Sequence, residues 1–290
     1  MSDKLQVAVL IAHSSVRAFE SEIIDKIMKL ECCEIVLILD HQNSVIKKPG
    51  FLFRWYQKID RLIYSRSNNY MQTVSLKTDN IRRLSFSSYA NKQYQYIDED
   101  TIKAIKDFKL DVVLKFDETV FKGEILSLAR YGVWEFSYGK SCTGATLSGL
   151  KETISAAKSL QASLIKLPDV NSSSCIIDSF HASSDPLSFF NNQNQLCWKT
   201  HLLMPRNIEK LAKNPQSFMR DKLHNLYFYK DKQIVYPDTK EMLLFLPDIL
   251  VKNIVSRIDR LLYKVQWCIY YAENENEQPF QRNLSNFIKI

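Results

Sequence analysis

Eight residues near the start, LQVAVLIA at 5–12, show almost no alternation of apolar and polar side chains. Such a run fits a strand covered on both faces, and a strand of that kind requires helices above and below its sheet. Phe19, Ile23, Ile24 and Ile27 then recur at helical spacing, and EIVLILD at 34–40 supplies a second buried strand, so the chain opens as β-α-β. The spacing predicts an amphipathic helix over 50–64, FLFRWYQKIDRLIY after Gly50, and the polar stretch 65–92 reads as a long loop with at most a short irregular strand. A short helix through Ile102, Ile105 and Phe108 leads into LDVVLKF at 110–116 as a third parallel strand. Residues 121–131 read as a helix stopped by Gly132, and VWEFSY at 133–138 as the next strand. The class is therefore α/β, three-layered and Rossmann-like, with a mainly parallel sheet.

Beyond residue 140 the period changes. TGATLSGL at 143–150 and ASLIKLP at 162–168 read as adjacent antiparallel strands at a sheet edge, while 171–185 is polar and lacks a strand signal. Residues 187–213 read as one long helix, bent near Pro205. In the last quarter, 218–238 reads as loop or short β structure and 242–265 as helix. QWCIYYA at 266–272 reads as a strand, followed by the charged ENENEQ and a terminal FIKI that points to a pinned strand or to a further domain. Two parts are expected: an α/β domain over 1–215 and a smaller α+β extension over 216–290.

The net charge is +7. From residue 196 to the end there are 15 Lys or Arg against 10 Asp or Glu, which leaves +2 for everything before. The basic part reads as a solvated face or an anionic docking surface for nucleic acid, a phosphorylated sugar, a lipid headgroup or a partner. Six cysteines, at 32, 33, 142, 175, 197 and 268, fit no paired metal or disulfide framework and read as buried thiols in a reducing compartment. No signal peptide and no apolar run of about 18 residues is present, so a cytoplasmic location is expected, with peripheral attachment to an inner membrane only through partners.

Generic catalytic motifs are absent: there is no glycine-rich phosphate loop, HExxH or GxSxG, and the five histidines are too scattered to name a metal site. One block carries more information. Phe116, GEIL at 123–126, ARYGVW at 129–134, Phe136, and then Thr143, Gly144, Thr146 and Leu147 resemble the formyltransferase-like domain of bacterial glycan- and glycolipid-associated proteins. That domain is itself a relative of the folate-dependent formyltransferases. LCWKTHLLMPRNIEKL at 196–211 and QWCIYYA add weaker resemblances.

The resemblance implies a formyltransferase fold and three catalytic roles: an oxyanion donor, a base or proton shuttle, and a carboxylate that polarises it. In such proteins these are an Asn, a His and an Asp; here the positions hold Glu135, Ser137 and Ser155. An ionised carboxylate opposes an oxyanion, and neither hydroxyl is a base near neutral pH. The loop carrying the acceptor wall is shortened to SYGKSC at 137–142. By position, Phe116, Asp117, Glu118 and Trp134 are expected around a cofactor, and Tyr138 and Lys140 around a substrate. No cofactor is expected if the site is degenerate; 10-formyltetrahydrofolate is expected if the cleft works.

Three readings follow. One is a degenerate, non-catalytic formyltransferase-like module in surface glycan or glycolipid synthesis, with a glycosyltransferase-like domain, a glycan precursor or another copy of itself as partner. Another is an active N-formyltransferase for an amino sugar or small molecule, with one of the carboxylates Glu135, Asp117 and Glu118 as its base. The third is a module binding nucleic acid or another anionic ligand. An open pocket beside Phe116 and Glu135 favours the enzyme; a filled one favours the module.

Overall fold

The computed structural model describes residues 4–44, 49–65, 69–76, 80–91, 94–139, 144–169, 174–223 and 236–273. The chain divides into two compact units, Met1–Met242 and Leu243–Ile290.

The first unit begins as its apolar runs require: β1 (Leu5–Ala12), β2 (Ser15–Arg17), α1 (Ala18–Met28) and β3 (Cys33–His41). Then come α2 (Phe51–Tyr64), β4 (Thr73–Ser75), β5 (Arg82–Phe86), β6 (Ser88–Asn91), β7 (Tyr94–Ile97) and α3 (Glu99–Lys106). The centre holds β8 (Val112–Lys115) and β9 (Val133–Tyr138). α4 (Leu150–Ile154), β10 (Ser159–Lys166), β11 (Cys175–Ser183), α5 (Phe189–Thr200), α6 (Leu203–Lys213) and α7 (Pro215–Leu223) complete it.

Among the described residues nine strands share one sheet. β9, β8, β1, β3 and β5 run parallel in that order; β10 and β11 extend the β9 side antiparallel, and the short β2 and β4 branch from the end of β1. β1 shows why the structure has three layers. Val7, Val9 and Ile11 join one apolar cluster with α1, α5 and α6, whereas Ala8 and Leu10 join the other with α3. A strand's side chains alternate between faces, so a run apolar on both parities is covered twice.

The structure corrects several expectations. Residues 121–131 form no α-helix: only Glu124–Ser127 make a 3-10 turn. The flanking backbone is instead drawn to the sheet region, where Arg130 N–H bonds Leu110 O and Tyr131 N–H bonds Asp111 O. The 65–92 stretch contains β4, β5 and β6, and β5 is a full parallel neighbour of β3. The expected strand at 143–150 is a 3-10 turn, Ala145–Leu147, leading into α4. Gly149 sets that change of direction: its φ is +84°, and a Cβ there would lie 2.8 Å from Asn192 Cβ.

The antiparallel partner of β10 is instead β11, inside the segment that lacked a strand signal. Its inner end is buried and its outer end alternates with exposed polar residues, as an edge strand does. The helix expected over 187–213 is two helices separated at His201 and Leu202, with Pro205 inside the first turn of α6, where the missing N–H costs little. α7 occupies part of the expected 218–238 loop. QWCIYYA is not a strand: it lies within α8 (Thr239–Glu273), and the described part of the second unit is the remainder of that helix. ENENEQ beyond Glu273, and FIKI, lie outside the described residues. Among the described residues no helix is long and apolar enough to cross a membrane.

One packing contact carries a testable charge. Asp60 of α2 accepts the Phe190 N–H at 2.7 Å, at the N-terminus of α5. Burial raises its pKa to about 6, with the Phe190 and Ser188 hydrogen bonds only partly offsetting this. The folded state therefore holds the Asp60 proton more tightly than the unfolded chain, and this contribution is lost as pH rises through about 4 to 6. Urea unfolding should show wild-type stability, measured relative to Asp60→Asn, falling by on the order of 2 kcal/mol between pH 4 and pH 7.

Candidate functional site

Around the carboxyl ends of β3, β8 and β9 and the adjoining β2 and α1, seven ionisable side chains come together, and each already has a partner. Lys115 and Glu135 stand opposite each other in the β8–β9 register. Lys115 Nζ donates to Glu135 Oε2 at 2.7 Å and to the Asp117 carbonyl at 2.5 Å, and both side chains are about 96% buried. Taking this pair out of water is costly, and removing one partner costs about 3–5 kcal/mol because the other charge is stranded.

Asp117 continues the lattice. Its Oδ2 lies 2.5 Å from His41 Nδ1, and its Oδ1 accepts the Thr119 N–H at 2.8 Å. Burial by itself favours the neutral acid. The His41 hydrogen bond, the Lys115 charge and the Thr119 bond outweigh it and hold Asp117 down at about 2.

His41 also reaches Ser88, with Nε2 2.7 Å from Oγ, so Ser88–His41–Asp117 has the connectivity of a catalytic triad. Its surroundings make it a clamp. All three residues are buried, and Asp117 borders the cavity formed with Lys115, Glu135 and Arg17. Ser88 Oγ also lies 2.8 Å from Gln95 Oε1. A hydroxyl has one proton to give; when it goes to Gln95, His41 Nε2 must itself donate to Ser88 and cannot serve as its base.

Arg17 organises the opposite wall. Its Nη2 contacts Glu118 Oε1 at 2.6 Å and Thr146 Oγ1 at 2.9 Å, and its Nη1 contacts Glu20 Oε1 at 3.0 Å. Glu118 Oε1 also accepts the Thr146 N–H at 2.9 Å. Burial opposes the Arg17 charge, but Glu118 and Glu20 outweigh it and raise the guanidinium further above its usual pKa. Burial likewise pushes Glu20 up, and Arg17 offsets this in part. Gly144 permits the approach: a Cβ there would lie 2.8 Å from the Glu118 carboxyl carbon.

These residues enclose a cavity of about 30 Å³, bordered also by Phe116, Phe136 and Tyr138. That volume suits about one or two waters, against roughly 300–1,000 Å³ for a small-molecule pocket.

The residues expected at a cofactor or substrate do not all reach this cavity. Phe116, Asp117, Glu118, Glu135 and Tyr138 border the cavity. Ser137 is buried on the same strand. Trp134 does not border the cavity: it is buried, stacks on Phe218 of α7 with ring centroids 6.0 Å apart, and donates its indole N–H to Tyr131 O. Ser155 is exposed at the end of α4 and donates to Lys151 O. Lys140 lies outside the described residues. Among the described residues no group of three His, Cys, Asp or Glu is placed to hold a metal.

Sequence reasoning singled out Glu135 and Asp117 but missed Lys115, His41, Arg17 and Glu20. A signal existed: Lys115 interrupts the otherwise apolar VVLKF and Glu135 interrupts VWEFSY, and opposite charges in neighbouring two-sided strands must meet.

No family model matches this sequence, and no curated protein matches it either. Solved structures with a similar fold include glycinamide ribonucleotide transformylase 1 from Geobacillus kaustophilus, at 12% identity and a TM-score of 0.48, spanning 72% of this chain and 100% of that one. The corresponding enzyme from Symbiobacterium toebii gives 9% identity and a TM-score of 0.47, over 82% and 96% of the two chains. A formyltetrahydrofolate deformylase from Pseudomonas syringae pv. tomato gives 12% and 0.42, over 81% and 67%. All three TM-scores lie below 0.5.

A structural ion pair and a catalytic carboxylate respond differently to substitution. Glu135→Gln should lose about 3–5 kcal/mol in urea unfolding, whereas the double variant Lys115→Met/Glu135→Leu should recover to within about 2 kcal/mol of wild type.

Proposed function

We propose that this protein is a non-catalytic formyltransferase-like module, with the crevice at its strand ends serving stability. The observation that carries this reading is the cavity of about 30 Å³ walled by the Lys115–Glu135 and Arg17–Glu118 pairs. Formyl transfer needs a nucleophile beside the donor carbon, an unpaired hydrogen-bond donor for the oxyanion and a group ready to take a proton. Lys115 already serves Glu135 and the Asp117 carbonyl, and the Glu135 carboxylate already accepts from that ammonium group. A pterin-sized ring does not fit the cavity that the described residues enclose, so no step through a folate is derived.

The sequence resemblance supplies the finer part of the proposal: an accessory role in surface glycan or glycolipid synthesis, beside a glycosyltransferase-like domain or a glycan precursor. The competing reading, an active N-formyltransferase using 10-formyltetrahydrofolate, requires that crevice to open by roughly tenfold in volume. Calorimetric titration of the full chain with 5-formyltetrahydrofolate separates the two. No saturable heat is expected from a cooperatively folded sample; one-to-one binding in the micromolar range overturns the proposal.

A further inference from the structure

A second and much larger concavity lies away from the strand-end crevice. It is an open groove of about 470 Å³, within the roughly 300–1,000 Å³ of small-molecule sites. One wall is a single face of α5. Asn191, Asn194, Gln195 and Trp198 follow at spacings of three, one and three, which align them along a helix. Asn is a poor helix former, and the helix itself has no use for this run of carboxamides. Tyr70 and Asp185 stand across from them.

These side chains are arranged but not consumed. Asn194 is 5% exposed, and its Oδ1 accepts the Tyr70 N–H at 3.1 Å, which fixes the orientation of the amide. Its Nδ2 is buried and has no hydrogen-bond partner. The Asp185 carboxylate is held by the Leu187 N–H at 2.9 Å and by Asn191 Nδ2 at 2.8 Å, with further lone pairs left to accept. Trp198 is half exposed at 49%, too much for a core anchor.

We propose that this groove binds an uncharged saccharide, with a sugar ring laid on the Trp198 indole and its hydroxyls bonded to Gln195 and Asp185. The chemistry selects this class. A carboxamide both donates and accepts, which matches the paired hydroxyls of a sugar, and the indole offers a flat apolar face to the ring's C–H bonds. Among the described residues that line the groove there is no lysine or arginine, and the one charge is negative, so phosphates and nucleic acids are disfavoured. The site rests on its own atoms and stands whether or not the strand-end crevice takes a folate.

The test is saturation-transfer NMR and calorimetry on the full chain. The probes are a panel of neutral oligosaccharides built from glucose, galactose, mannose and N-acetylglucosamine. At least one should bind, and Trp198→Ala and Gln195→Ala should each weaken it tenfold or more with an unchanged unfolding midpoint, since both side chains face solvent. Failure of the whole panel to bind a cooperatively folded sample overturns the proposal. Undiminished binding by Trp198→Ala overturns it as well, whatever the folate titration gives.

Discussion

The Lys115–Glu135 pair is the contact on which the centre of this molecule depends. Two opposite charges face each other across adjacent parallel strands, in a sheet covered on both sides. Both are almost entirely withdrawn from solvent, so each charge is tolerable only while the other is in register. The pairing therefore acts as a registration mark: a slip of one residue between β8 and β9 would put the two side chains on opposite faces of the sheet. From that point the lattice spreads outward. Lys115 holds the Asp117 carbonyl where β8 ends, Asp117 holds His41 at the end of β3, and His41 holds Ser88 at the start of β6.

The same lattice occupies the strand ends. In open α/β sheets a ligand crevice forms beyond the carboxyl ends of the strands. Here that space is bridged from one side by Arg17 to Glu118 and from beneath by Lys115 to Glu135. Carboxylates bonded to neighbouring cations tie these strand ends together. The α5 groove has the opposite character. Its polar groups are positioned by the fold, and Asn194 keeps a donor unused.

The readable elements were those whose burial is uniform. β1, β3 and β9 are apolar because both faces are covered, and that requirement is written in consecutive residues. β11 was illegible for the converse reason: an edge strand with its outer end in water carries Asp178, Ser179, His181 and Ser183, a composition shared with loops. QWCIYYA has the side chains of a strand but continues α8, because extending an existing helix gains a hydrogen bond per residue and overrides a weak local preference. Glu135 was legible as a special residue but not in its role, since its partner Lys115 lies twenty positions earlier.

By itself the sequence determined the β-α-β opening, the predominantly parallel sheet and the presence of charged residues within buried strands. Those follow from local hydrophobic spacing, which is a property of neighbours in the chain. Tertiary structure alone decided that Glu135 would meet Lys115, that Trp134 would enter the core against Phe218, and that four residues of α5 would wall a groove with Tyr70 and Asp185. Each of these joins positions far apart in sequence. Which charges neutralise one another, and which polar groups are left over, is set by where the packed chain puts them.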